Sequence, residues 1–156
     1  MNAKNIGKLL RDQKKTLAVA ESCTGGLLGS LITDVPGSSD YFLGGIIAYH
    51  DRVKITGLGV KREVLEKYGA VSPQVAASMA KNIRKKLGAS LGVGITGIAG
   101  PAGGSKTKPV GLVYIAVSGT KNVLIEKKLF RGTRQKIKVL AAGKALDLLR
   151  FFLMSD

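Results

Sequence analysis

In AESCTGG, residues 20–26, a serine (Ser22), the chain's only cysteine (Cys23), a threonine (Thr24) and two glycines (Gly25, Gly26) fall between two different apolar patterns. The run before them, TLAVA (16–20), is continuous. The one after them places Leu27, Leu28, Leu31 and Ile32 at i, i+1, i+4, i+5. That order reads as strand, turn, helix. Backbone N–H groups at such a junction can meet an anion or a developing oxyanion, and glycines let a ligand come close. Ser22 is thus a candidate nucleophile. The plain alternative is that Ser22 or Thr24 caps the helix and the glycines serve the turn. The stretch is neither a G-x-x-x-x-G-K-[ST] phosphate loop nor a G-x-S-x-G elbow, because no lysine follows the glycines and Ala20 and Thr24 flank the serine at two residues' distance.

Cys23 is the rival nucleophile. A thiol at a helix start can be acidic, and its partner would be His50, the one histidine; the alternative is a small buried apolar side chain. One Cys and one His give no metal-ligand spacing, so neither a metal nor another cofactor is expected. Lys54, in YHDRVK, becomes a general base only where burial or neighbouring cations favour its neutral form. Nothing local distinguishes it, or Arg134, among 25 basic residues. The segment GIAGPAGGSKTKP (97–109) follows an apolar run directly and carries Gly97, Gly100, Gly103 and Gly104. It fits either a loop whose N–H groups cradle a phosphate or carboxamide, or a flexible connection.

The elements that must position these groups follow from periodicity. Ile6, Leu9 and Leu10 mark a first helix; 16–20 is a buried strand; VPGSS (35–39) is a turn; Tyr41 to Tyr49 is a second strand. Residues 51–54 and 61–68 suggest two short helices. Ser72 and Pro73 open a longer one, closed by Gly88, with Val75, Met79, Ile83 and Leu87 on one face. Leu91 to Thr96 is a strand. VGLVYIAVSG (110–119) and NVLIEKKLF (122–130) form a hairpin. The last helix starts near Thr133 and carries a stripe of Ile137, Leu140, Ala141, Ala145, Leu148, Leu149 and Phe152. Helices alternating with strands predict an α/β fold: a single three-layer domain over 1–156, with a mixed sheet and helices on both faces.

Composition bounds the rest. A chain of 156 residues, 45% hydrophobic, builds one core, and one cysteine excludes an intramolecular disulfide. The N-terminal MNAKNIGKLLRDQKK has no apolar core of a signal peptide, and no run is long enough to cross a bilayer, so a cytoplasmic protein without membrane contact is expected. The net charge of +15 suits an anionic partner, whether nucleic acid, a phosphorylated metabolite or a membrane surface; the plain reading is a solvated basic surface. The cations are spread along the chain and there is no Trp, which disfavours a base-stacking nucleic-acid platform. A small α/β layer with apolar helix stripes also suits a homo-oligomer.

Several stretches together resemble one family. AESCTGG, ITDVPGSSDYF, Ala48-Tyr49 followed by Lys54, Leu58-Gly59-Val60, YGAVSPQVAASMA, TGIAGPAGG, KPVGLVYIA and FRGTR are similar, in order, to the C-terminal domain of the competence/damage-inducible protein CinA, found alone as nicotinamide-nucleotide amidohydrolase. The resemblance implies metal-independent hydrolysis of the carboxamide of nicotinamide mononucleotide to nicotinic acid mononucleotide and ammonia. By the same resemblance, Ser22 is the nucleophile, Lys54 its base and Tyr49 a supporting hydroxyl. Thr96 lines the pocket and Arg134 meets the substrate's charge. Thr24 and the glycines Gly25, Gly26, Gly97, Gly100, Gly103 and Gly104 shape the nucleotide and oxyanion sites. A second reading is an accessory protein that binds nucleotides or nucleic acid without catalysis. This chain has Gly132-Thr133-Arg134 where the family commonly has GDR, and His50 where small polar residues are usual.

Overall fold

The computed structural model describes residues 3–155. Among these, five strands form one mixed sheet. β1 (Leu17–Glu21) lies between β2 (Phe42–Ile47) and β3 (Leu91–Gly97), parallel to both. β4 (Leu112–Ser118) and β5 (Val123–Leu129) extend it antiparallel, giving the order β2-β1-β3-β4-β5. The helices are α1 (Ala3–Asp12), α2 (Leu27–Thr33), α3 (Asp51–Thr56), α4 (Arg62–Tyr68), α5 (Pro73–Leu87) and α6 (Arg134–Ser155). A central parallel strand is buried on both faces, which is why β1 reads as an unbroken apolar run.

Successive side chains of a strand point to opposite faces, so β1 feeds two cores. Leu17 and Val19 join Ile6 and Leu10 of α1, Leu28 and Ile32 of α2, and Ile137 and Ala141 of α6. Ala18 and Ala20 join Val75, Met79 and Ile83 of α5. The result is the expected three-layer α/β arrangement, with α5 on one face and α1, α2 and α6 on the other. Each fully buried Ile or Met contributes about 1.5–3 kcal/mol relative to exposure.

β3 alternates large and absent side chains. Leu91, Val93 and Ile95 face the α6 layer. Gly92 and Gly94 face α5, where a Cβ at position 92 would collide with the Ala80 carbonyl and one at 94 with the Ala76 carbonyl. The two glycines therefore let the α5 backbone rest directly on the sheet. Ser72 caps α5 by accepting from Val75 N at 3.3 Å, and Gly88 ends it in the left-handed region.

Three sequence expectations change. The helical face of α5 drifts: four-residue steps exceed the 3.6-residue turn, so Leu87 is exposed while Ala76 and Ala80 are buried. Leu140 of α6 is likewise exposed, its place in the core taken by Ala142 and Leu146. The second strand is shorter than Tyr41 to Tyr49, which leaves Tyr49 outside the sheet.

Candidate active site

The carboxyl ends of the three parallel strands point the same way, and the crevice beyond such ends is where open α/β sheets bind ligands. Ser22 follows β1, Tyr49 follows β2, and Thr96 and Gly97 end β3. Between them opens a cleft of about 250 Å³, completed by Lys54 from α3, Gly100 and Gly103 from the glycine loop, and Arg134 at the start of α6. A larger groove of about 800 Å³ lies between β5 and the C-terminal half of α6; none of the candidate residues lines it.

The centre of the cleft is a serine–lysine pair. Lys54 is 1% exposed and its Nζ lies 3.1 Å from Ser22 Oγ. The Lys54 Nζ also donates to the Tyr49 carbonyl at 3.2 Å and faces Asp51 Oδ1 at 3.4 Å. α3 is only one and a half turns long, yet it fixes this amine: His50 caps it by accepting from Arg52 N at 3.1 Å, and Val60 N returns to the Lys54 carbonyl at 2.9 Å. The unusual histidine is therefore a helix cap, not a partner of Cys23.

Among the described residues no carboxylate pairs with Arg134. Its guanidinium donates to the Gly100 carbonyl at 2.7 Å and to the Tyr49 hydroxyl. The Tyr49 phenol thus meets Arg134, and it is the Tyr49 carbonyl that meets Lys54. Thr133, one residue before α6, accepts from Lys136 N at 3.3 Å, so its side chain caps the last helix. Thr96 lines the cleft, with its hydroxyl donated to the Ala70 carbonyl at 2.8 Å.

The turn after β1 differs from the expected helix cap. α2 begins only at Leu27, its cap position is Gly26 in the left-handed region, and neither Ser22 nor Thr24 caps it. Glu21 does that work from the end of β1. Its buried carboxylate accepts from Gly26 N, Leu28 N and Gly29 N at 2.8–3.1 Å. The helix-start N–H groups expected to receive a ligand are therefore occupied, and Gly25 and Gly26 lie outside the cleft lining, as do Thr24 and Gly104. Gly103 lines the cleft beside Gly97 and Gly100. Among the described residues, the N–H group of Thr24 has no acceptor within the chain, while that of Cys23 meets its own thiol. Sequence reasoning missed Glu21, which no local pattern marks as a cap.

Cys23 is buried, and burial pushes its thiol from 9.0 up to about 12. A raised folded value means the protonated thiol stabilises the fold fully below pH 9.0, a contribution lost as pH rises towards about 12. Iodoacetamide at neutral pH is expected to leave Cys23 of the folded protein unmodified, read by intact mass. Cys23→Ala is expected to flatten the alkaline limb of the stability profile. Among the described residues no three His, Cys, Asp or Glu side chains gather to hold a metal ion.

Comparison with known proteins places this arrangement in a family. A family model for the CinA C-terminal domain matches residues 1–153. A putative competence-damage inducible protein of Moorella thermoacetica is 53% identical over 92% of this chain and 34% of its own length. A CinA-like protein of Syntrophomonas wolfei is 52% identical over 93% and 35%. The chain thus spans about a third of the length of the curated relatives it matches. Among solved structures, the competence/damage inducible protein CihA of Agrobacterium tumefaciens superposes with a TM-score of 0.93 at 37% identity, covering 97% of this chain and 92% of that one. A CinA superfamily protein of Klebsiella pneumoniae superposes at 0.94 with 26% identity, covering 100% of both. The chain belongs to the CinA C-terminal domain family.

Proposed function

We propose that this protein is a serine–lysine amidohydrolase that releases ammonia from nicotinamide mononucleotide. The observation that carries the reading is the 3.1 Å contact between a buried lysine amine and Ser22 Oγ, at the floor of a cleft walled by the glycine loop. The substrate is inferred from the resemblance of AESCTGG, TGIAGPAGG and KPVG to nicotinamide-nucleotide amidohydrolases, with which membership of the CinA C-terminal domain family is consistent.

The chain's own groups account for each step. The neutral Lys54 amine takes the Ser22 proton as Oγ attacks the carboxamide carbon. The carbonyl oxygen becomes an oxyanion, for which the Thr24 N–H, in the turn that begins with Ser22, is an available backbone donor. The C–N bond breaks as the Lys54 ammonium protonates the departing nitrogen, which leaves as ammonia. Water then attacks the Ser22 ester, again giving its proton to Lys54, which returns it to Ser22 Oγ as nicotinic acid mononucleotide departs. The Tyr49 carbonyl and Asp51 orient the amine between transfers, and Arg134 ties the glycine loop to Tyr49.

The test is ammonia release from nicotinamide mononucleotide by the purified protein, with stoichiometric nicotinic acid mononucleotide. Cys23→Ala is expected to keep the rate within about threefold, since its thiol is not ionised at working pH. No ammonia from the wild-type protein would reject the reading. Activity lost on Cys23→Ala but kept on Ser22→Ala would move the nucleophile to the thiol.

A further inference from the structure

Among the described residues that line the cleft, two side chains are basic, Lys54 and Arg134, and one is a carboxylate, Asp51. Ala70, Val71, Ile98 and Ala99 supply apolar wall. Asp51 opens α3, where a negative charge suits the helix start. Its reach extends further than that. Oδ1 lies 3.4 Å from Lys54 Nζ, which lies 3.1 Å from Ser22 Oγ, so a single amine separates the carboxylate from the nucleophile. The second oxygen, Oδ2, has no partner among the described residues, and the side chain is 57% exposed. The ion pair of Asp51 is with Lys54. Once Lys54 stands as the neutral amine that takes the Ser22 proton, the carboxylate is left without a cation.

We infer that Asp51 recognises the ring cation of a quaternised pyridine carboxamide whose amide carbon lies at Ser22. The inference rests on the proposed reading of the cleft and adds a specificity determinant to it. In nicotinamide mononucleotide the positive charge is spread over the ring that carries the carboxamide. It therefore begins one bond from the carbon that Ser22 attacks. A cation placed there stands among apolar walls and two basic side chains, and an unpaired charge is costly in such surroundings. The Asp51 carboxylate is the lining group that offsets it by opposite charge. The two tasks divide by oxygen: Oδ1 faces the lysine amine and Oδ2 is free to face the ring. The Tyr49 carbonyl cannot serve equally, because it already accepts from Lys54 and carries no full charge. As the ring displaces water from the cleft, screening between the two charges falls and the attraction strengthens.

The test is calorimetric, in a Ser22→Ala background that cannot turn over. The probes are nicotinamide mononucleotide and its reduced form, which keeps the carboxamide, ribose and phosphate but has a neutral ring. Asp51→Asn is expected to weaken the oxidised mononucleotide about fivefold or more, leave the reduced one within about twofold, and so remove most of the preference between them. Asp51→Glu, which keeps the charge, is expected to retain more of that preference than Asp51→Asn. Asp147→Asn, the same charge change in the groove beside β5, serves as control and is expected to change nothing. An unchanged preference in Asp51→Asn would overturn the inference. So would an equal loss for both probes, since Asp51 would then act only by supporting Lys54. Should neither probe bind any variant, the amidohydrolase reading fails first. Nicotinamide methylated on its ring nitrogen, followed by ligand-observed NMR against plain nicotinamide, then decides the role of Asp51 alone. Binding of the methylated cation that is lost in Asp51→Asn supports it, and binding that is absent or unaltered overturns it.

Discussion

Ammonia release from nicotinamide mononucleotide is expected to fall by about 10³-fold or more in Ser22→Ala, and by a similar factor in Lys54→Met. The two losses should not multiply. The hydroxyl and the amine perform one proton transfer across 3.1 Å, so once either is gone the other has nothing to act with. The double variant is therefore expected to match the worse single variant. Stability separates this from misfolding. Ser22→Ala removes one hydrogen bond to a buried amine that keeps the Tyr49 carbonyl and Asp51, a cost of about 1–3 kcal/mol. Lys54→Met keeps the volume of the stem and removes a buried polar head, which apolar replacement tolerates well. Steady-state ammonia assays and urea denaturation of the three variants check both statements. Losses that multiply would mean that Ser22 and Lys54 act in separate steps.

A large effect on stability is expected at Gly94, which takes no part in the chemistry. Its α5-facing side has no room: an added Cβ would overlap the Ala76 carbonyl and sit 2.7 Å from Ala80 N. Both are helix backbone, which cannot swing aside. Gly94→Val would lift α5 from the sheet and strip Val75, Met79 and Ile83 of their contacts with the alanines of β1, at more than about 4 kcal/mol. A fold worth roughly 5–15 kcal/mol in total loses much of its margin that way. Gly88→Asn is the matched control. That glycine is left-handed at φ +64° with open space around it, and asparagine tolerates the conformation, so a change of under about 1 kcal/mol is expected in thermal melts. A Gly94→Val protein as stable as wild type would mean that α5 does not rest on β3 as described.

The sheet and helices were legible because their signals are local. Ser72-Pro73 and Gly88 delimit α5 by backbone chemistry alone, and the stripes of α5 and α6 follow the helical period. Two helix errors are of register: Leu87 extends the α5 stripe past where the 3.6-residue turn keeps it in the core, and Leu140 stands at the edge of the α6 stripe. The site was legible only through its resemblance to a family. Ser22 and Lys54 are 32 positions apart, and what joins them is that β1 and β2 are parallel neighbours ending at one edge. No local pattern states that. Glu21 was invisible for the opposite reason. Its role depends on a glycine at the cap of α2 leaving three N–H groups in search of an acceptor, which the sequence shows only as one more charged residue. His50 and Thr133 cap α3 and α6 and make no contact with the serine–lysine pair.

Ser22 Oγ as the atom that carries the acyl group is tested most directly by rapid acid quenching of the wild-type protein during turnover of nicotinamide mononucleotide, followed by peptide mass spectrometry. An ester of the nicotinoyl nucleotide on Ser22, absent from Ser22→Ala, is the predicted result. The same adduct on Cys23, or undiminished turnover by Ser22→Ala with no adduct on any residue, would contradict it.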